Sequence, residues 1–337
     1  MNPLTAQDFT SDQDVRWCPG CGDYSILKQV QTILPELGRS PSETVFVSGI
    51  GCSSRFPYYL NTYGLHGIHG RATSIASGLK MLRPELSVWV ITGDGDGLSI
   101  GGNQLIHLLR RNLDLQILLF NNEIYGLTKG QFSPTSEMGK HTKSSPWGSI
   151  DHPFNPLALA LGADATFVAR GLDRDPVHLR GVLKAAAAHR GSSLVEIYQN
   201  CNVFNDGAFE PYSDKKQRDL SRLMLETGQP LRYGAEGEWG IALDGLQPKV
   251  VSMAEYSPDD LWIHQPEDRT KAWILSRFFD EPIGENALPR PFGVLYAENR
   301  AIYEDLLHQQ LRTAHEASPK HSLDALLAGN NTWSIES

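Results

Sequence analysis

Two short segments of the sequence combine glycine with side chains that can hold a metal ion. Gly-Asp-Gly-Asp-Gly at 93–97 follows one apolar stretch, and Asn122 follows the next, 28 residues after Asp94. Glycine lets a backbone approach a diphosphate closely, and a helix predicted after 93–97 would point its N-terminus at that anion. Magnesium prefers oxygen ligands. Either segment alone is typical of an ordinary turn, but the two together predict a magnesium-bound diphosphate.

Other phosphate- and metal-binding motifs do not fit these segments. A dinucleotide-binding fingerprint would need its third glycine at Leu98 or Ile100, and no Gly-Lys-Ser/Thr sequence is present to form a P-loop. A calcium-binding loop that began at Asp94 would need an acidic residue where Leu105 stands.

The four cysteines form the second chemical feature of the chain. They are Cys18, Cys21, Cys52 and Cys201, too few for a disulfide scaffold. A redox Cys-x-x-Cys usually follows a strand, whereas this pair follows a polar N-terminal arm, and zinc sites usually use two local pairs. Cys52 and Cys201 stand at the ends of predicted strands. A shared 4Fe-4S cluster is therefore the favoured interpretation, with zinc or four unrelated thiols as alternatives.

The elements that must position these groups are strands alternating with helices. Apolar stretches predict strands at 44–50, 86–93, 115–121 and 193–199, and helices are predicted at 23–37, 71–83, 102–112 and 177–190. Because the strands lack polar alternation, both of their faces should be buried. The order predicts an α/β domain, a doubly wound and mostly parallel sheet over 1–205, with loops meeting at the strands' carboxyl ends.

Residues 206–337 differ in character, with more Pro, Asp, Lys and Arg and no second strand–helix series. Helices are expected at 273–279 and 301–317, and the region is predicted to be a C-terminal extension packed on the domain or on a partner subunit. The chain has 30 basic and 39 acidic residues, which gives no support for a nucleic-acid partner. No apolar run is long enough for a membrane span, and the N-terminus carries no secretory leader, so a cytoplasmic protein is expected.

Six motifs, taken in order, resemble the beta subunit of the 2-oxoacid:ferredoxin oxidoreductases, most closely the 2-oxoglutarate type. They are WCPGCGDYSILKQV, GIGCSSRFPYY, HGRATSIASGLK, GDGDGLSIGGNQLIHLLRRN, NNEIYGLTKGQFSPTS and NCNVFNDGAF. The resemblance spans about residues 15–212, and the Gly-Asp-Gly and Asn-Asn segments within it are similar to the thiamine-diphosphate-binding motif. It implies the thiamine-diphosphate-binding fold.

The resemblance also implies a set of cofactor ligands. Cys18, Cys21, Cys52 and Cys201 would hold one 4Fe-4S cluster, and Asp94, the Asn122 side chain and the Ile124 carbonyl would bind Mg²⁺. The residues implied to line thiamine diphosphate are Ile50, Gly51, Cys52, Ser53, His69, Gly95, Asp96, Gly126 and Leu127. Cys52 belongs to both sets, which would place the cluster within electron-transfer reach of the cofactor.

The implied reaction is the coenzyme A-dependent oxidative decarboxylation of a 2-oxoacid, possible in reverse as reductive carboxylation, with ferredoxin as the electron carrier. The family's alpha subunit carries the carboxylate that activates the cofactor, so a heterodimer or a dimer of heterodimers is expected and the chain alone should be inactive. Arg55 could pair with the distal carboxylate of 2-oxoglutarate. His66 and His69 could transfer a proton or contact the diphosphate, although His66 is more typical of a loop histidine, and Lys129 and 131–136 could line the pocket or close over it.

Two alternatives to this function remain open at the level of sequence. The first is a non-redox thiamine-diphosphate decarboxylase or ligase subunit in which the cysteines hold structural zinc. The second is a non-catalytic electron-transfer or scaffold subunit that retains the motifs.

Overall fold

A mixed eight-stranded sheet forms the centre of the computed structural model, which describes residues 3–278, 288–317, 322–333 and 335. The strands are β1 (Thr44–Ser48), β2 (Tyr63–His66), β3 (Ser87–Gly93), β4 (Leu115–Asn121), β5 (Phe167–Leu172), β6 (Ser192–Tyr198), β7 (Arg222–Met224), β8 (Arg232–Tyr233), β9 (Trp239–Asp244), β10 (Gln247–Ser252) and β11 (Arg290–Ala297). The main sheet has the order β2-β1-β3-β4-β6-β5-β11-β7. The six strands from β2 to β5 are parallel, and β11 runs antiparallel to β5.

Helices cover both faces of this sheet. They are α1 (Asp23–Ile33), α2 (Ala72–Leu82), α3 (Gly102–Arg111), α4 (Pro156–Gly162), α5 (Pro176–Ala188), α6 (Arg218–Ser221), α7 (Arg269–Arg277), α8 (Tyr303–Ala317) and α9 (Leu323–Ala328). Alternate residues of β4 belong to different cores: Ile117 packs with α2, α3 and α4, and Leu118 packs with α1 and α5. Both faces of the strand are therefore apolar, and this confirms the predicted doubly wound parallel arrangement. No described helix is long and apolar enough to cross a bilayer.

The predicted strands at 44–50, 86–93, 115–121 and 193–199 are confirmed as β1, β3, β4 and β6. The four predicted helices are confirmed as α1, which continues into a short 3-10 turn, and as α2, α3 and α5. The sequence did not predict β2 or β5. β2 is a four-residue strand, Tyr-Gly-Leu-His, and is exposed throughout, too short a run to stand out as a buried strand. β5 contains Arg170, whose charge interrupts an otherwise buried strand.

A buried ion pair explains why a charged residue can stand in β5. Arg170 Nε donates to Glu196 Oε2 of β6 over 2.7 Å, and Arg170 Nη1 donates to the carbonyl oxygen of Pro291 over 3.1 Å. Both charged side chains are about fully buried, so each needs the other. The pair thereby joins β5, β6 and β11.

The region after 205 contributes β7 and β11 to the main sheet and the antiparallel β8–β10 to a second sheet. Leu223, Ala272, Leu275 and Leu295 pack in the same core as α2, α3 and α4. The expected helices at 273–279 and 301–317 correspond to α7 and α8. Residues 279–287, 318–321, 334, 336 and 337 of the predicted extension lie outside the described residues, and the domain boundary at 205 stays a prediction.

Candidate functional site

One pocket lies where the chain leaves the carboxyl ends of β1, β3 and β4. Its lining is Ile50, Gly51, Cys52, Ser53, His69, Gly93, Asp94, Gly95, Asp96, Phe120, Asn122, Ile124, Tyr125, Gly126, Leu127 and Thr128. Every residue implied to hold thiamine diphosphate or its magnesium is in this set. Parallel strands present their carboxyl ends at one edge of a sheet, and this explains how residues from distant motifs meet there.

Asp94 follows β3 directly, and its carboxylate is buried inside this pocket. Burial raises the pKa of Asp94 above its ordinary value, although hydrogen bonds from Ser133 and Thr135 oppose the shift. Thr135 Oγ1 donates to Asp94 Oδ2 over 2.6 Å. A buried carboxylate of this kind gains from a nearby cation, so Asp94 is suited to bind one.

Asn122 and Ile124 also line the pocket, just after the end of β4. Asn122 Oδ1 accepts from the backbone N–H of Ile124 over 3.2 Å, and Asn122 Nδ2 donates to Gln199 Oε1 over 2.9 Å. Glu123, between them, has a φ of 55°, a conformation that is uncommon outside glycine and turns the chain sharply. Burial raises the pKa of Glu123 to about 8, against the opposing effect of Arg290. A carboxylate, an amide oxygen and a backbone carbonyl form a donor set that fits Mg²⁺.

Asp96 lines the pocket, but both of its oxygens are already hydrogen-bonded within the protein. Oδ1 accepts from the backbone N–H groups of Ile50 and Gly70, over 3.2 and 2.7 Å, and Oδ2 accepts from Thr92 Oγ1 over 2.7 Å. His69 Nδ1 lies 2.6 Å from Asp96 Oδ1 without the geometry of a regular hydrogen bond. Asp96 therefore joins the loops that follow β1 and β2 to the end of β3.

Gly51 leaves open space in this pocket. Its φ is +130°, a value that other residues rarely adopt, and an added Cβ would meet no atom within 4 Å. A backbone without a side chain at this point matches the close approach that a diphosphate cofactor requires. Together with the oxygen donors, this opening makes the pocket compatible with thiamine diphosphate and Mg²⁺.

The sulfur atoms of two distant cysteines meet beside the pocket, at Gly126. A Cβ placed on Gly126 would lie 3.5 Å from Cys52 Sγ and 3.7 Å from Cys201 Sγ. Burial, the Asp23 carboxylate and the thiols of Cys201 and Cys18 raise the pKa of Cys52 to about 12, against the opposing Arg55. Burial is also the main cause that raises the pKa of Cys21, and the thiols of Cys201 and Cys52 add to it. Each of the four thiols therefore interacts electrostatically with at least one of the others.

The four cysteines are free thiols, with Cys18 exposed and the others half-buried. Among the described residues, no group of three or more Cys, His, Asp or Glu side chains already stands in metal-binding geometry. The thiols thus gather in one region without a preformed coordination shell. Soft sulfur donors fit an iron–sulfur cluster or zinc, and the positive charge of either centre would offset the burial that disfavours the Cys52 thiolate and raises its pKa.

The remaining candidate residues, Arg55, His66, Lys129 and 131–136, are not part of the pocket lining. Arg55 is absent from the pocket lining, and its Nη1 donates to the backbone oxygen of Arg16 over 3.0 Å. His66 lies on exposed β2, with Nδ1 2.9 Å from the hydroxyl oxygen of Tyr58. Within the stretch 131–136, Thr135 reaches Asp94. That specific contact, and the contacts of Gln199, were not predicted, since neither residue type signals metal binding by itself.

Comparison with known proteins agrees with this geometry. The model of the thiamine pyrophosphate enzyme C-terminal TPP binding domain matches residues 49–197, which confirms the predicted fold. The chain is 52% identical to the 2-oxoglutarate oxidoreductase subunit KorB of Mycobacterium tuberculosis, over 99% of this chain and 89% of that protein. It is 48% identical to subunit beta of 2-oxoacid:ferredoxin oxidoreductase 1 of Aeropyrum pernix, over 56% of this chain and 60% of that one.

A solved structure shows the same likeness over nearly the whole chain. It is the 2-oxoglutarate:ferredoxin oxidoreductase from Magnetococcus marinus with 2-oxoglutarate, coenzyme A and succinyl-CoA bound. The TM-score is 0.77 at 30% sequence identity, with 97% of this chain and 96% of that chain covered.

Proposed function

The chain belongs to the beta-subunit family of the 2-oxoacid:ferredoxin oxidoreductases, with the 2-oxoglutarate enzymes as its near relatives, and we propose the following reaction for it. A 2-oxoacid, 2-oxoglutarate above all, reacts with coenzyme A to give acyl-CoA and carbon dioxide. Two electrons leave one at a time through a single 4Fe-4S cluster to two molecules of oxidised ferredoxin. The reverse reaction is a reductive carboxylation.

The pocket at the ends of β1, β3 and β4 is proposed to hold thiamine diphosphate. Asp94, Asn122 Oδ1 and the Ile124 carbonyl would bind the Mg²⁺, and the bound cofactor would supply the carbanion chemistry that decarboxylation requires. This chain's own contribution is to orient the cofactor and to balance the diphosphate charge. Asp96 holds the loops of the pocket in place, and Gly51 leaves room for the close approach of the diphosphate.

The position of Cys52 is the observation that supports the redox part of the proposal. It lines the pocket, and its Sγ lies with Cys201 Sγ beside Gly126. An electron acceptor held by Cys18, Cys21, Cys52 and Cys201 would therefore adjoin the proposed cofactor pocket. Because a single cluster accepts one electron at a time, an external one-electron carrier such as ferredoxin is needed.

An alpha subunit is proposed to complete the active site, as the family's subunit naming implies. The chain would then turn over only in the complex, and His69, on the rim of the pocket, is a candidate for proton transfer there. Ferredoxin reduction should require the alpha subunit, coenzyme A and the 2-oxoacid together. Full activity of the isolated chain would refute this requirement.

The first experiment is an anaerobic purification of the complex with its alpha subunit, followed by analysis of bound metals and cofactors. We expect thiamine diphosphate, Mg²⁺ and equal amounts of iron and acid-labile sulfide, about four of each per chain. The matched variant Cys201→Ser should lose iron and sulfide while it keeps thiamine diphosphate. Zinc in place of iron, with no sulfide, would contradict the proposal and support a non-redox thiamine-diphosphate enzyme.

The second experiment compares substrates in that same complex. Ferredoxin reduction should be faster, at equal low concentrations, with 2-oxoglutarate than with pyruvate, and it should depend on coenzyme A. Thiamine diphosphate and a cluster present without any oxoacid-dependent reduction would instead support a non-catalytic subunit.

A further inference from the structure

Gln199 connects the thiol region with the proposed magnesium ligand. It follows β6 directly, between that strand and Cys201, and its side chain is almost fully buried. Gln199 Nε2 donates to Cys21 Sγ over 3.3 Å and to the backbone oxygen of Asn200 over 2.7 Å. Gln199 Oε1 accepts from Asn122 Nδ2 over 2.9 Å. One amide therefore contacts both sites.

The direction of these bonds fixes the orientation of the two amides. The backbone oxygen of Asn200 can only accept, so the nitrogen of Gln199 faces that oxygen and Cys21, and the oxygen of Gln199 faces Asn122. Gln199 Oε1 accepts a hydrogen bond from Asn122 Nδ2. Asn122 Oδ1 is thereby directed to the backbone N–H of Ile124, the residue with which it would share the magnesium.

A second contact holds the same corner of the pocket. Asn205 Nδ2 donates to the backbone oxygen of Asn122 over 2.9 Å, and Asn205 N–H donates to the backbone oxygen of Cys201 over 2.9 Å. The backbone of Asn122 is thus held to the Cys201 loop independently of Gln199. Loss of the Gln199 side chain should free the Asn122 amide to rotate while the backbone stays in place.

We propose that Gln199 is a positioning residue with two effects, an inference that rests on the proposed function. Its N–H group stabilises negative charge on the Cys21 sulfur, and a reduced cluster carries more of that charge than an oxidised one. The bond therefore raises the reduction potential of the cluster. Its oxygen keeps the Asn122 amide oriented for Mg²⁺, in the way that outer partners orient metal ligands.

Variants of Gln199 in the complex with the alpha subunit separate these two effects. Gln199→Met has a similar volume but can neither donate to Cys21 nor accept from Asn122. Gln199→Glu keeps an oxygen that accepts from Asn122 Nδ2. Gln31→Leu is the control, since Gln31 is a buried glutamine whose Nε2 donates to the backbone oxygen of Tyr59.

The readouts are the midpoint potential of the cluster, from a redox titration followed by electron paramagnetic resonance, and the magnesium-dependent affinity for thiamine diphosphate. Gln199→Met should shift the potential to more negative values and weaken cofactor binding about 10-fold. Gln199→Glu should bind the cofactor with nearly wild-type affinity. Gln31→Leu should change neither quantity, which separates the proposed role from a general loss of packing.

An unchanged potential or an unchanged affinity in Gln199→Met would overturn the role of Gln199. If Gln199→Met retains no cluster, the magnesium-dependent affinity for thiamine diphosphate is the deciding measurement. An equal loss of this affinity in Gln199→Met and Gln199→Glu overturns the inference. A loss of affinity in Gln199→Met alone supports it. A wild-type complex without iron and sulfide overturns the proposed function itself. If the wild-type complex holds its cluster and the cluster of Gln199→Met has the same midpoint potential, only the inference about Gln199 is overturned.

Discussion

Thr135 Oγ1 donates a hydrogen bond to Asp94 Oδ2 over 2.6 Å, and Thr135 Oγ1 also lies 2.9 Å from Asn121 Oδ1. Asn121 Nδ2 donates to Glu196 Oε1, so the orientation of the Asn121 amide is fixed from the other side. A loop residue far from β3 in sequence thereby determines where the carboxylate of Asp94 points. Thr135 acts on the proposed magnesium site although it is not itself a metal ligand.

Replacement of Thr135 by valine should weaken magnesium-dependent binding of thiamine diphosphate by roughly 10-fold, because Asp94 loses the bond that orients it. Valine has nearly the same shape, so the fold should persist, with a loss in unfolding free energy of about 1 to 3 kcal/mol for the missing hydrogen bond. Isothermal titration of the complex measures the affinity. Thr313→Val on exposed α8 is the control, and equal affinities of Thr135→Val and wild type would reject the idea.

Replacement of Gly126 by alanine should prevent cluster incorporation while the apo chain still folds. The added methyl group makes ordinary contacts with Cys52 Sγ and Cys201 Sγ, but it occupies space beside both sulfurs that a cluster would need. Iron, sulfide and the thermal unfolding midpoint of the apo chain are the measurements. Gly181→Ala, in α5 where an added Cβ meets nothing, should load normally. Normal iron and sulfide in Gly126→Ala would place the cluster elsewhere.

Replacement of Arg55 by leucine tests its proposed contact with the distal carboxylate of the substrate. If the guanidinium leaves the Arg16 backbone to pair with 2-oxoglutarate, the KM for 2-oxoglutarate should rise about 10-fold, because a charge-assisted contact contributes roughly 1.5 kcal/mol or more. The KM for pyruvate, which lacks that carboxylate, should change little. Arg16→Leu is the control for charge loss on the same surface. Equal changes for both substrates would exclude this role.

Acid should destabilise the protein partly through His264. This residue is buried, its Nε2–H donates to the Val294 oxygen over 2.8 Å, and burial lowers its pKa below the usual 6.5, against the opposing Val294 carbonyl and Glu267. Below pH 6.5 the unfolded chain takes up the proton first, so stability is retained above that pH and lost as the pH falls towards the folded pKa. The loss is at most about 1.4 kcal/mol per pH unit.

The replacement His264→Gln keeps an N–H donor but cannot titrate in this range. Its thermal unfolding midpoint should therefore fall less between about pH 6.5 and 5.5 than that of the wild type. His152→Gln, at an exposed position, is the control. Identical pH slopes for His264→Gln and wild type would show that His264 does not carry this dependence.

The parallel core of the fold was predictable, because β1, β3, β4 and β6 are mostly apolar runs, with Glu196 as the one charge among them, and are separated by helix-like stretches. β5 was not, since Arg170 interrupts its apolar pattern, and only the pairing with Glu196 across the sheet makes that charge tolerable. β11 begins with arginine and proline and has a glycine at 293 with a φ of +120°, features that normally argue against a sheet strand. Its pairing with β5 joins residues more than 100 positions apart in sequence, and its pairing with β7 joins residues 68 positions apart.

The pocket residues were predictable because the motifs quoted in the sequence analysis name them at fixed positions. The structure brings these residues together, whereas their individual roles stay predictions. Thr135 and Gln199 were not predicted to touch the site, because their importance comes from the direction of hydrogen bonds across loops. Arg55 shows the reverse case: proximity to Cys52 in sequence did not place it in the pocket lining.

The position of β11 has a consequence for the order in which this protein is made. While the ribosome has released only the residues up to 205, β5 is an open edge without its antiparallel neighbour, and Arg170 lacks the oxygen of Pro291. Unpaired strand edges attract other chains. The nascent polypeptide can therefore pair the free edge of β5 only once synthesis has passed residue 297, and until then that edge is open to pairing with other chains.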